Sequence, residues 1–259
     1  MKKFLTVALA GVLAASMLFT GCGKKETADG GEIPDTIVVG TNAEFPPFEY
    51  VNDDGDVDGF DMAVMKEVGK KIGSDVEIKN MEFKSLIGSM ESGNLDVIAA
   101  GMTVTKERER QVDFTDSYYT AKQYVIQKEG GSIKSADDLE GLTIAVQEGT
   151  TGDLLATDEI KDSNVKRFKK GVDAVMDLKK GGSDVVIIDA NPAQEFVKAN
   201  KGLELVKDLF DDESYAFAVQ KGNTKLKDAI NDALKEMNAD GTSGKLVKIV
   251  HGTVILKKG

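Results

Sequence analysis

GNLDVIAAG at residues 93–101 and GGSDVVIID at residues 181–189 are two versions of one pattern, in which glycine and aspartate precede a strand-like apolar run. Each follows a short helical segment, and glycine in this place is typical of a helix C-terminus. Gly101 and Asp189 occupy equivalent positions just past their strands, where open α/β sheets bind ligands. The repeat therefore predicts two similar lobes whose ligand-binding edges face each other across a cleft.

Strand-length apolar runs alternate with helical patterns along the rest of the chain. Apolar residues at 37–39, 97–100, 143–146 and 185–188 predict strands, and the strongest helical period covers residues 226–237. This alternation predicts an α/β fold with mostly parallel sheets.

Two extended segments are candidates for connections between the lobes, at residues 122–128 and 213–221. The prediction is two parallel strands that form a hinge, because a few residues can absorb the rotation of closure. Lobe 1 then comprises residues 34–121 together with 216–259, and lobe 2 comprises residues 122–215.

The N-terminus is typical of an exported lipoprotein. Residues 1–21 combine two lysines, a short apolar run and small residues before a cysteine, which indicates a signal sequence. Gly21 and Cys22 resemble a bacterial lipobox, in which Cys22 is lipidated, for example with palmitate. Residues 22–35 are polar and glycine-rich, and predict a flexible tether. The alternative is an ordinary cleaved signal followed by an incidental cysteine.

Composition disfavours several classes of function. The net charge of -11 disfavours binding to nucleic acid or to anionic membranes. Cys22 and His251 are the only cysteine and histidine, which disfavours a histidine metal centre or a catalytic triad. Asp54, Asp56 and Asp58 resemble the start of a calcium loop, but Met65 stands where that loop needs glutamate. We therefore expect a polar hairpin tip there, and neither metal nor cofactor.

A free amino acid needs a cation for its carboxylate and an acid for its ammonium group. In lobe 1, Thr103 and Arg108 follow the strand that ends at Gly101, and Thr105 is a candidate helix N-cap before Arg108. Arginine can hold a carboxylate with two parallel hydrogen bonds. The alternative is that Arg108 pairs with a surface acid.

Lobe 2 offers complementary groups. Residues 147–152 form a glycine-containing turn before a predicted helix, and such turns can present free N–H groups to an anion. Asp189 is positioned to pair with an ammonium group. The alternative is that Asp189 caps the helix that begins near Asn191.

Several short motifs, in order along the chain, resemble one known family. They are GTNAEFPPFE (40–49), GFD (59–61), AGMTVT (100–105) with ER (107–108), VDFTD (112–116) with YY (118–119), GTT (149–151), DVVIID (184–189) and NADGT (238–242). Together they resemble the extracytoplasmic solute-binding proteins of polar amino-acid ABC transporters. The resemblance implies a two-lobed periplasmic-binding-protein-like fold of type II, each lobe a mixed sheet flanked by helices, joined by two hinge strands.

The resemblance also implies roles for the residues that contact the ligand backbone. Arg108 matches the arginine that grips the α-carboxylate, with Thr103 and the main chain at Thr151. Asp189 matches the acid that takes the α-ammonium group, with the carbonyl of Gly101 and the hydroxyl of Thr103 nearby.

Four further positions match those that contact the ligand side chain. Phe45 and Phe83 match an aromatic pair that sandwiches it, and Asn42 and Gln147 match positions that tune side-chain choice. Asn42 and Gln147 favour a polar side chain such as that of glutamine, whereas Glu44, if turned inward, would favour a basic amino acid. Several relatives carry aspartate where this chain has Asn42.

The predicted function is capture of a free amino acid outside the cytoplasm and its delivery to an ABC permease. The protein is expected to be a monomer that meets the membrane only through its lipid. One alternative is a cleft enzyme of the same fold, similar to cyclohexadienyl or arogenate dehydratases, using Glu44 or Glu148 as an acid. Another is an amino-acid sensor module.

Overall fold

A computed structural model describes residues 30–251. The predicted signal sequence, Cys22 and most of the predicted tether lie outside the described residues. Within the described part of the chain, no helix has the length and apolar character needed to cross a membrane.

Strands and helices alternate through most of the chain. The strands are β1 (Thr36–Thr41), β2 (Glu44–Phe45), β3 (Glu49–Val51), β4 (Val57–Asp58), β5 (Asp75–Asn80), β6 (Val97–Ile98), β7 (Val112–Phe114), β8 (Tyr119–Lys128), β9 (Thr143–Gln147), β10 (Asn164–Phe168), β11 (Val185–Asp189), β12 (Leu203–Val206), β13 (Asp212–Tyr215) and β14 (Ala218–Gln220). The helices are α1 (Phe60–Ile72), α2 (Leu86–Glu91), α3 (Thr151–Leu154), α4 (Gly171–Lys180), α5 (Ala190–Ala199), α6 (Thr224–Ala239) and α7 (Thr242–His251).

These elements build two mixed sheets. The sheet of lobe 1 has the order β5-β1-β6-β14-β7, and the sheet of lobe 2 has the order β10-β9-β11-β8-β12, with β13 paired to β8. In both sheets the parallel strands are flanked by antiparallel partners. The strands β6, β9 and β11 are buried and apolar because helices cover their sheets, as expected for parallel strands. The sheet of lobe 1 is mixed because the chain returns to it through β14, which is antiparallel to β6. The sheet of lobe 2 is mixed because β8, through which the chain enters, is antiparallel to β11 and β12.

The sequence repeat has a structural counterpart. In lobe 1 a carboxylate oxygen of Asp96 accepts a hydrogen bond from the main-chain N–H of Val38 at 2.8 Å. In lobe 2 Asp184 accepts the same bond from Thr143 at 2.8 Å. Each aspartate fixes the start of a central strand against a neighbouring parallel strand, β1 in lobe 1 and β9 in lobe 2. The strands that end near Gly101 and Asp189 therefore begin with the same type of contact.

The predicted pair of connecting strands is present, but the strands are antiparallel. β8 passes from lobe 1 into lobe 2, and β13 pairs with it antiparallel, with Tyr215 opposite Tyr119. The prediction of parallel strands was wrong because the chain leaves and returns in opposite directions. After Tyr215 the chain rejoins the sheet of lobe 1 through β14.

A small sheet of β2, β3 and β4 lies at the edge of lobe 1. Its tip contains the aspartates that resemble a calcium loop, and there the side chain of Asn52 accepts hydrogen bonds from the N–H groups of Asp54 and Asp56. Gly59 ends the hairpin with φ of 128°, and a Cβ atom there would lie 2.2 Å from the carbonyl oxygen of Phe48. Glycine therefore allows the start of α1 to pack directly against β3.

Candidate functional site

A cavity between the lobes is lined by residues from both sheets. The nine site residues predicted from the sequence all line it, together with three others: Asn42, Phe45, Phe83, Gly101, Thr103, Arg108, Gln147, Thr151 and Asp189, with Glu49, Ala100 and Thr150. The remaining space is about 10 Å³, room for about one water molecule. The lobes are thus closed on each other, and an amino acid can enter only if they separate.

Arg108 is the buried cation of the cavity. The first turn after Thr105 is a 3-10 turn and not an α-helix, and the Thr105 hydroxyl accepts a hydrogen bond from the N–H of Arg108 at 3.2 Å. Its guanidinium group donates to the carbonyl of Thr103 at 2.7 Å and to that of Gly149, in lobe 2, at 3.0 Å. Arg108 is 7% exposed and makes no salt bridge within the described residues, so the surface-acid alternative does not hold.

Burial lowers the pKa of Arg108, while the negative charges of Glu213 and Asp189 act in the opposite direction. The guanidinium stays charged because even a lowered arginine pKa lies far above neutral. Two main-chain carbonyls leave other N–H groups of its fork unused. These N–H groups can donate hydrogen bonds to an anion.

Asp189 lies at the end of β11 and is 5% exposed. Its carboxylate makes no capping bond to α5, which excludes the capping alternative. It accepts instead a very short hydrogen bond from the hydroxyl of Tyr215. Burial, then the charge of Glu213, raises the pKa of Asp189 to about 7.

The turn that opens α3 differs from its prediction. The N–H of Gly149 donates to the side chain of Asp153 at 3.0 Å, and the N–H of Thr150 donates to the carbonyl of Gln147. These two groups are thus used within the turn and are not free for an anion. The helix is also short, because it passes into a π-helical turn at Leu155–Glu159.

Glu213 links the two lobes beside the cavity and was missed in the sequence. One carboxylate oxygen accepts hydrogen bonds from the hydroxyls of Thr103, at 2.7 Å, and Thr151, at 2.9 Å. The amide of Gln123 donates to the same oxygen at 3.4 Å. Its position depends on the pairing of β13 with β8, which no local pattern indicates.

The aromatic pair lies on the wall that belongs to lobe 1. Gly101 has φ of 51°, and a Cβ atom there would lie 2.8 Å from the ring of Phe45. Glycine thus lets the end of β6 approach that ring. The guanidinium carbon of Arg108 lies 5.3 Å from the ring centre of Phe83, within the range of a cation–π contact.

Asn42 and Gln147 meet across the cleft. The amide nitrogen of Gln147 donates to the side-chain oxygen of Asn42 at 2.9 Å and to the carbonyl of Lys169 at 3.2 Å. The amide nitrogen of Asn42 donates to the carbonyl of Met81 at 2.8 Å. The two carbonyls fix which way each amide points, because only an N–H group can face them.

Glu49 is the charged residue of the cavity wall that sequence analysis missed. It is fully buried, its carboxyl group lies beside that of Asp61, and neither oxygen accepts a hydrogen bond from an N–H group or hydroxyl of the described residues. Burial, then the neighbouring charges of Asp61 and Asp189, raises its pKa well above the usual value. Its only signal in the sequence is its position between two aromatic residues, Phe48 and Tyr50.

Asp61, beside Glu49, is also fully buried. One oxygen accepts hydrogen bonds from the N–H of Gly101 at 3.0 Å and from the hydroxyl of Tyr118 at 2.7 Å, whereas the other has no partner among the described residues. Burial raises the pKa of Asp61 to about 7.

At the rim of the cleft, three ion pairs join the lobes. They are Lys84–Glu148, Lys169–Glu82 and Lys170–Glu44, with N–O distances of 2.5 to 2.6 Å. Glu44 therefore points to the rim and does not line the cavity. Glu148 is held in the same way, so the two acids required by the enzyme alternative are both engaged with lysines.

Comparisons with known proteins agree with this architecture. The profile of the bacterial extracellular solute-binding proteins, family 3, matches residues 37–252. The chain is 33% identical to the arginine-binding extracellular protein ArtP of Bacillus subtilis (strain 168), over 96% of this chain and 97% of that one.

Solved structures give the same result. The arginine-, lysine-, histidine-binding protein ArtJ of Geobacillus stearothermophilus is 37% identical with a TM-score of 0.80, covering 85% of this chain and 96% of that one. An ancestral arginine-binding protein bound to glutamine is 40% identical with a TM-score of 0.80, covering 86% and 100%. The two mixed sheets, the two connecting strands and the matched profile establish that the chain belongs to the bacterial extracellular solute-binding proteins of family 3.

Proposed function

We propose that this protein captures one free amino acid by closing its lobes and delivers it to the permease of an ABC transporter. One observation carries the proposal: the same cavity is lined by buried Arg108 from lobe 1, which makes no salt bridge among the described residues, and by buried Asp189 from lobe 2. A zwitterion offers a carboxylate to the first and an ammonium group to the second. Family membership makes the protein a solute-binding protein and not an enzyme.

Closure is the step that completes the site. Arg108 and Thr103 are supplied by lobe 1, whereas Thr151 and Asp189 are supplied by lobe 2. A ligand shifts the equilibrium towards the closed form only by its higher affinity for that form. Charge-assisted hydrogen bonds contribute roughly 1.5–3 kcal/mol each, so two anchors with aromatic packing support micromolar binding, about -8 kcal/mol.

The remaining lining residues are proposed to contact the ligand side chain. Phe45 and Phe83 would pack on its apolar part, and Asn42 and Gln147 would meet its polar end. Relatives are named as binding arginine, and one structure holds glutamine. These four residues could contact a polar ligand side chain that either bears an amide, like glutamine, or is basic.

The proposal includes the division of the chain into two lobes and its attachment to the membrane. Lobe 1 would take residues 34–121 and 216–259, and lobe 2 residues 122–215, with the hinge near residues 122–128 and 213–221. The antiparallel pair of β8 and β13 supports this division. Lipidation of Cys22 would tether a monomer outside the cell membrane through residues 22–35.

Calorimetry with the standard amino acids tests the proposed anchor. Arg108→Ala should weaken the binding of the best ligand by at least roughly 100-fold, because a buried charge-assisted pair is lost. Arg110→Ala is the matched control, since Arg110 lies on the same turn and is exposed. Undiminished affinity in a folded Arg108→Ala protein would refute the assignment.

A further inference from the structure

Glu213 lies behind two hydroxyl groups of the cavity and is not among the residues that line it. The hydroxyl of Thr103, from lobe 1, and the hydroxyl of Thr151, from lobe 2, both donate to the same oxygen of its carboxylate, at 2.7 and 2.9 Å. Both threonines line the cavity. Glu213 can therefore act on a ligand through these two side chains, without touching it.

The direction of these hydrogen bonds follows from the chemistry of the groups. A carboxylate only accepts hydrogen bonds, whereas a threonine hydroxyl has one proton to donate and two lone pairs. Thr103 and Thr151 thus use their only hydroxyl protons on Glu213. The hydroxyl of Thr151 also accepts from the amide of Gln123 at 3.1 Å, whereas that of Thr103 accepts from no described residue. Thr103 therefore presents lone pairs, and no proton, to the cavity.

Main-chain hydrogen bonds hold Glu213 beside Thr103. The N–H of Val104, directly after Thr103, donates at 2.9 Å to the carbonyl of Ser214, directly after Glu213. The contact between the two side chains is thus set by the pairing of the segments that carry them.

The same strand also holds the acid proposed for the ligand ammonium group. Glu213 and Tyr215 are two residues apart on β13, so their side chains project from the same face of the strand. Tyr215 donates to the carboxylate of Asp189. One strand therefore contacts both side-chain acceptors expected for the ammonium group, Asp189 through Tyr215 and Thr103 through Glu213.

We propose that Glu213 is a positioning residue, which makes the hydroxyl of Thr103 a hydrogen-bond acceptor for the α-ammonium group and so selects amino acids over the corresponding α-hydroxy acids. This inference rests on the proposed function. An ammonium group has three donors and no acceptor, so it fits a hydroxyl that offers only lone pairs. Without Glu213, the Thr103 hydroxyl is free to turn its proton towards the ligand, and an α-hydroxyl group can accept it.

Glu213 also joins the lobes, because its two donors belong to different lobes. A role in closure alone would change the affinities for all ligands by the same factor. A role in the direction of the hydrogen bond changes the affinity for the ammonium group selectively. The ratio of two affinities therefore separates the two roles.

The test compares the standard amino acid that binds most tightly with its α-hydroxy acid, which for L-arginine is L-argininic acid. In calorimetry on the full chain, the wild type should bind the amino acid at least roughly 100-fold more tightly, because the ammonium group makes charge-assisted bonds that a hydroxyl cannot make. Glu213→Met keeps the length of the side chain but removes the acceptor, and should reduce this ratio at least roughly 10-fold. A ratio unchanged in Glu213→Met would overturn the inference and leave the proposed function intact.

Two further variants identify the cause. Glu213→Gln keeps one acceptor oxygen for the two hydroxyls, and its NH₂ group can face a second cavity, of about 360 Å³, that Glu213 lines. It should keep the ratio within about 3-fold of the wild type. Glu204→Met is the matched control and should also keep the ratio, since it removes a half-buried glutamate that accepts from Gln127 where β12 pairs with β8. A ratio that falls as far in Glu213→Gln as in Glu213→Met would assign the effect to charge and contradict the proposal.

The wild type tests the inference even if no variant of Glu213 folds. A neutron structure with the amino acid bound should show the deuterium of the Thr103 hydroxyl directed at the Glu213 carboxylate. A deuterium directed at the ligand would overturn this inference and leave the proposed function intact. A protein that binds no amino acid would overturn both.

Discussion

Charged side chains at the rim of the cleft form ion pairs between the lobes, whereas those in its interior do not. At the rim, Lys84, Lys169 and Lys170 each meet a glutamate of the other lobe. In the interior, Arg108 has no acid within salt-bridge distance, and the carboxyl of Glu49 lies beside that of Asp61 without a basic side chain to pair with among the described residues. The rim lysines thus have their counter-charges on the other lobe, whereas Arg108 and Asp189 make no ion pair among the described residues.

The rim and the interior should therefore contribute different amounts of free energy: the rim pairs to closure of the lobes, and the interior groups to binding of the ligand. Exposed ion pairs contribute about 0–1 kcal/mol each, because water and salt screen them. Buried charge-assisted pairs contribute more, and a lost partner leaves the other group uncompensated. Changes inside the cleft should therefore alter affinity far more than changes at its rim.

After Arg108→Ala, the largest loss of affinity in this comparison is expected from a substitution at Asp189. Asp189→Asn keeps the size of the side chain and its bond to Tyr215, but removes the charge that the ligand ammonium requires. Affinity should fall about 10- to 100-fold in calorimetry at pH 8. Asp184→Asn, at the other end of the same strand, tests the fold and should leave affinity within about 3-fold. Equal losses in the two variants would mean that Asp189 acts through stability.

A smaller effect is expected from pH on the equilibrium between the open and closed forms of the protein without ligand. Asp189 has a pKa of about 7 in the closed form, whereas an exposed aspartate has a pKa near 4. Between these values the closed form binds more protons than an open form would. Low pH therefore favours closure, and this contribution is lost as the pH rises through about 7.

Small-angle X-ray scattering can follow this opening. The radius of gyration should increase between pH 4 and pH 8 in protein freed of ligand, and Asp189→Asn should reduce the increase. A radius that is constant, or that grows as the pH falls, would contradict the buried acid as its cause.

The smallest effects are expected at the rim. Lys84→Gln, Lys169→Gln and Lys170→Gln should each weaken binding by less than about 5-fold. Raising the salt concentration should reduce the differences between these variants and the wild type, because exposed charges are screened. Lys70→Gln, which removes an ion pair far from the cleft, serves as the control. A rim variant that lowers affinity as much as Asp189→Asn would contradict the claim that rim and interior charges have different roles.

Sequence patterns predicted the parts of the site that depend on local order. Gly101 and Asp189 could be placed because each follows a buried strand whose preceding aspartate fixes the strand start. Arg108 could be placed because it follows that strand within one turn. The resemblance to a family supplied Phe45, Phe83, Asn42 and Gln147, all of which line the cavity.

The residues that escaped prediction depend on long-range geometry. Glu49 reaches the cavity through its register with Phe45 and through the close approach allowed by Gly59. Glu213 reaches it through the pairing of two distant strands. Glu44 was considered as an inward acid, but Lys170 of the other lobe holds it at the rim. None of these contacts has a periodic signal in the sequence.

The central claim is that a zwitterion bridges Arg108 and Asp189. A crystal structure of the protein with bound arginine tests it most directly. The account predicts the α-carboxylate within about 3 Å of the Arg108 guanidinium and the α-ammonium nitrogen at the same distance from the Asp189 carboxylate. A ligand bound between the lobes with its α-carboxylate away from Arg108, or its ammonium group away from Asp189, would contradict the account.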